Sequence, residues 1–80
     1  MPYIDQASRG HLTDGVAPRN PGELNYLITQ VCSQYLRTKG ERYQTYNDIM
    51  GALEGAKLEL YRRQIAPYED VKIIENGDVY

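Results

Sequence analysis

Tryptophan and phenylalanine are absent from these 80 residues, and cysteine and histidine occur once each, as Cys32 and His11. One cysteine cannot close an internal disulfide, and one histidine without a second ligand at helical spacing leaves no metal centre to expect. A catalytic thiol needs an adjacent base. Cys32 falls at the edge of an amphipathic helix and His11 in a distant, Gly-flanked polar segment, so an inert, half-buried cysteine and a solvated histidine are expected. No stretch reads as a secretory signal or a membrane span, which makes the cytoplasm the default compartment. No Gly-rich phosphate loop, Walker-type lysine, HExxH or GxSxG occurs, so neither a cofactor nor an enzymatic activity is expected. An excess of one charge is missing too. Nine Lys and Arg face eleven Asp and Glu, a net charge of −2, and no overall field draws the chain to nucleic acid.

What remains is distinctive in one respect: eight tyrosines supply all the aromatic content. Tyrosine joins a large apolar ring to a hydroxyl that wants a partner or water, which suits half-buried, interface-like settings or the rim of a small core. With 41% apolar and 25% charged residues the composition is that of a folding chain, read as a single small helical domain over 1–80. At this length one core gives only a few kcal/mol of net stability, so oligomerisation or a docked tail is an expected supplement.

Residues 1–12 open with Pro2, Tyr3 and Ile4, then Asp5 as an N-cap to one or two turns ending before Gly10; Tyr3, Ile4 and Leu12 are the docking residues. Residues 13–20 read as a loop. Asn20-Pro21-Gly22-Glu23 is a helix start, with Asn at the N-cap, Pro at the first helical position and Glu reaching back as in a capping box. The helix runs to Lys39 with Gly40 as its stop, and its apolar stripe is Leu24, Leu27, Ile28, Val31, Tyr35 and Leu36. Tyr26 projects away from that stripe.

The longest periodic run is 46–65, started by Thr45 with Asp48 three residues on. It carries apolar residues on two sides. Ile49, Leu53, Ala56 and Leu60 form one face, expected to meet the preceding helix in an antiparallel αα-hairpin because the connection at 40–45 is short. Gly51, Gly55, Leu58 and Ile65 form the other, a groove for a sister subunit or for the Tyr80 tail. Each helical glycine costs about 1 kcal/mol relative to alanine, which makes sense where a backbone approaches closely. Pro67 then ends the helix or kinks it into a third one; Asn76-Gly77 fits a hairpin turn or a helix C-cap, and the arm after it is short for a ribbon. The expected fold is therefore all-α: an antiparallel αα-hairpin with a short N-terminal segment and a kinked C-terminal helix or tail.

The side chains singled out for ligand chemistry are Lys57, Tyr61, Arg62, Arg63 and Tyr68, since Arg and Tyr together grip phosphate and stack on a base. Against that stands ordinary helix chemistry, in which Glu54 balances Lys57 and Glu59 balances Arg63.

Four stretches carry a resemblance: MPYI at 1–4, PGELNYLIT at 21–29, NDIMGALEGAKLELYRR at 47–63 and APYEDVKIIENGDVY at 66–80. On these the chain resembles a widespread family of small uncharacterised proteins of tailed phages and prophages. The resemblance implies a mobile-element origin and a bacterial cytoplasm, and brings no site residues with it. Two functions follow as expectations: a non-enzymatic helical protein acting by binding, as a homo-oligomer or with a host protein, and a counter-defence sponge for a cyclic or similar signalling nucleotide.

Overall fold

The computed structural model describes the backbone of residues 5–13 and 15–80, and the side chains of these except 8 and 11–13. The expected docking residues Tyr3, Ile4 and Leu12, and the side chain of His11, lie outside the described residues.

Every regular element among the described residues is helical: α1 Gln6–Thr13, α2 Pro21–Lys39, α3 Tyr43–Leu60, a π-helical turn Tyr61–Ile65, and α4 Ala66–Asn76. The protein is all-α. It divides into two compact units, Met1–Thr45 and Tyr46–Tyr80. The antiparallel hairpin of the two long helices, and the single domain it would make, concern the relation between these units and stay expectations.

In the first unit α1 does not stop before Gly10 but continues to Thr13. The glycine weakens the helix without breaking it, and packing of α1 against α2 offsets the loss. One contact of that packing is the guanidinium of Arg9, 6.0 Å from the ring centroid of Tyr26. Tyr26, read from the sequence as a surface aromatic, is thus half-buried beneath a cation.

The start of α2 follows its sequence signature. Asn20 is extended (φ −158°, ψ 168°), and its Oδ1 accepts the Glu23 N–H at 2.9 Å. Glu23 reaches back one residue farther than a capping box requires, accepting the Arg19 N–H at 2.8 Å and the Arg19 Nη2 at 2.8 Å. This double grip leaves Glu23 only 2% exposed. At the other end the Gly40 N–H donates to Leu36 O at 2.8 Å, with Gly40 at φ 89°. Between these caps Leu24, Ile28 and Val31 of the apolar stripe are exposed, while Leu27 and Leu36 are half-buried.

The long helix begins at Tyr43, two residues ahead of the expected cap. Thr45 therefore lies inside the first turn, where helical backbone prevents it from capping; it is buried, and its hydroxyl has no hydrogen-bond partner. Pro67 does not end the helical run; of the two expectations the restart is the one adopted, with α4 beginning at Ala66. In α geometry its ring would collide with the carbonyl of Arg63, four residues back. The preceding turn widens instead, the Ala66 N–H donating to Tyr61 O, five residues back, and α4 follows with Pro67 in its first turn. Of the two readings of Asn76-Gly77, the helix cap is the one adopted. Gly77 has φ 85°, its N–H donates to Ile73 O at 2.8 Å, and residues 78–80 leave the helix.

Candidate functional site

The wide turn changes which residues share a face of the long helix. An α-helix advances about 100° per residue, and a π turn holds one residue more than an α turn, setting everything after it back by about 100°. With Leu53 as zero, Leu60 lies near −20°, Lys57 near 40°, and Gly51, Gly55 and Leu58 on the far side, roughly 140–200° away. Ile65 would join that far group at about 120° in an unbroken helix; the π turn carries it back to within roughly 40° of Leu53. The expected glycine face thus loses Ile65. The Leu53 line gains it and continues through Tyr68, near −40°, to Lys72, near 0°.

The remaining glycine face is bare. A Cβ at Gly51 or Gly55 would meet nothing within 4 Å, and Leu58 is exposed. Val79 and Tyr80 stand almost fully in solvent, so the tail does not dock on this face. The Leu53 line is open as well, with Leu60 56% and Ile65 40% exposed.

The five residues singled out for ligand chemistry do not converge. Lys57 lies 3.9 Å from Glu54, while Arg62 and Arg63 both turn to Glu59 on the far side, at 2.9 and 3.9 Å. These are the local pairs that helix spacing alone predicts, plus Arg62. Tyr61 donates its hydroxyl to Glu69 Oε1 at 2.7 Å. The hydrogen bond, followed by the charge of Glu69, raises the Tyr61 pKa above its ordinary value. Tyr68 carries the ammonium of Lys72, 5.5 Å from its ring centroid, and Lys72 also meets Glu75 at 3.4 Å.

The Tyr61–Glu69 bond depends on the wide turn. Eight residues of α-helix would leave the two about 80° apart, whereas the setback reduces this to about 20°. Glu69 and Lys72 were missed as partners of the tyrosines, and the only signal in the chain was Pro67 inside an otherwise periodic run. In the first unit the Arg19 guanidinium is likewise held above its usual pKa by its hydrogen bond to Glu23 and then by that residue's charge.

Among the described residues no group of three His, Cys, Asp or Glu side chains could hold a metal ion, and no helix is long and apolar enough to cross a membrane. Residues 1–79 match the family described as a domain of unknown function, DUF6899, and the chain belongs to that family. No curated protein and no solved structure matches it.

Proposed function

We propose that this DUF6899 member is a non-enzymatic helical interaction protein of phage or prophage origin, working in the bacterial cytoplasm by binding, and that it does so as a homo-oligomer. One observation carries the reading: among the described residues only Glu23 and Thr45 are buried, while Val31, Met50, Leu60 and Ile74 stand more than half exposed. Covering a side chain of this size gains roughly 1.5–3 kcal/mol, and apolar area left open in this way is the usual mark of an association surface. Sedimentation at micromolar concentration tests it. A self-associated species is the expected result, and a stable monomer refutes the oligomer.

The nucleotide-sponge alternative has less behind it, because the charges of Lys57, Arg62 and Arg63 are already answered by Glu54 and Glu59. A thermal-shift panel of cyclic nucleotides is expected to leave the melting temperature unchanged; stabilisation by any member would replace the interaction reading with this one.

A further inference from the structure

The two ends of the long helix carry opposite charges at matched distances from its wide turn. The π turn Tyr61–Ile65 is centred on Arg63. Lys57 precedes that centre by as many residues as Glu69 follows it; Glu54 and Lys72 match in number too but lie about 100° apart around the helix. Lys57 and Glu69 also leave the helix on the same flank, about 40° and about 60° from the Leu53 line, once the setback is included. Lys72 sits on that line itself, its ammonium 3.4 Å from Glu75 of the same helix.

A two-fold axis perpendicular to an antiparallel helix pair brings each residue opposite the one equally far beyond the centre, on the same flank. A parallel pair instead sets each residue against its own copy, Lys57 on Lys57 and Glu69 on Glu69. We infer that the Leu53–Lys72 line is covered by the same line of a second copy running antiparallel, centred on the π turn, with Lys57 of each chain against Glu69 of the other. The inference rests on the homo-oligomer reading above and specifies its interface. The glycine face takes no part in it.

Disulfide trapping decides the geometry. K57C and E69C are made separately, each with Cys32→Ser, and Lys57 is exposed enough that its replacement leaves the helix intact. Mixed and oxidised, the two variants should give the K57C–E69C heterodimer, while K57C alone should cross-link little, its two copies lying roughly 18 Å apart along the axis. Charge reversal gives a second readout: Lys57→Glu should weaken dimerisation about tenfold through its two symmetric contacts, and adding Glu69→Lys should restore it. A dimer in which K57C cross-links with itself overturns the antiparallel arrangement alone. A wild-type chain that sediments as a monomer overturns the arrangement and the reading beneath it.

Discussion

Replacing Pro67 with alanine returns the one backbone donor the long helix lacks and removes the ring that would meet the Arg63 carbonyl. The wide turn then has no cause, and Tyr61–Ile65 should close to ordinary α geometry. Closing it rotates everything from Ala66 onward by about 100°, and takes Glu69 from about 20° to about 80° off the line of Tyr61. The present 2.7 Å hydrogen bond cannot survive such a rotation, because the two side chains would leave the helix on different faces. Its loss should lower the Tyr61 pKa toward its ordinary value of 10.0. Ring-labelled tyrosine spectra recorded across pH 8–12, with Tyr61→Phe to assign the resonance, measure this directly. The sign is fixed by linkage. A raised hydroxyl pKa favours the folded helix fully below the ordinary value and ceases to do so as pH climbs through the raised one, so the wild type should lose helix at high pH more steeply than Pro67→Ala. If Tyr61 in Pro67→Ala still titrates as high as in the wild type, the proline does not hold the turn open and the reasoning fails.

Asn20→Ala removes the acceptor of the Glu23 N–H and should cost about 1 kcal/mol, read as a lower urea midpoint for the helix signal. Gly51→Ala and Gly55→Ala should each stabilise by about 1 kcal/mol and leave the sedimenting species unchanged, because a Cβ at either site meets nothing within 4 Å. Loss of association in either variant would return the interface to the glycine face. Gly77→Ala forces a side chain into φ 85° and should cost about 1–3 kcal/mol at the end of α4, seen as faster amide exchange at position 77 and its neighbours with α2 unaffected.

The helix limits of the first unit were legible where a local rule decides them. Asn20-Pro21 opens α2 and Gly40 closes it, because a side-chain cap and a positive-φ glycine act on adjacent backbone whatever lies around them. Gly77 was legible only as one of two possibilities; its φ of 85° and its N–H on Ile73 O make it the cap. The start at Tyr43 was not legible, since Thr45 and Asp48 imitate a cap that the structure places inside the helix. Nor was the grouping of the site residues. A period of 3.6 assigns Ile65 to the glycine face, and only the widened turn, which a proline can cause but does not announce, moves it to the other. The pairs Glu54–Lys57 and Glu59–Arg63 could be read directly because they depend on spacing within uninterrupted turns.

A turn that already houses a surplus residue makes the helix forgiving about its own length. Deleting Gln64 together with the Pro67 ring would draw the turn tight and keep Leu53 and Lys72 at the same compass bearing, whereas one deletion elsewhere in α3 would swing them apart by about 100°. Relatives that differ by a single residue in this helix should therefore carry the gap at this point, and those that lack the surplus should also lack the proline.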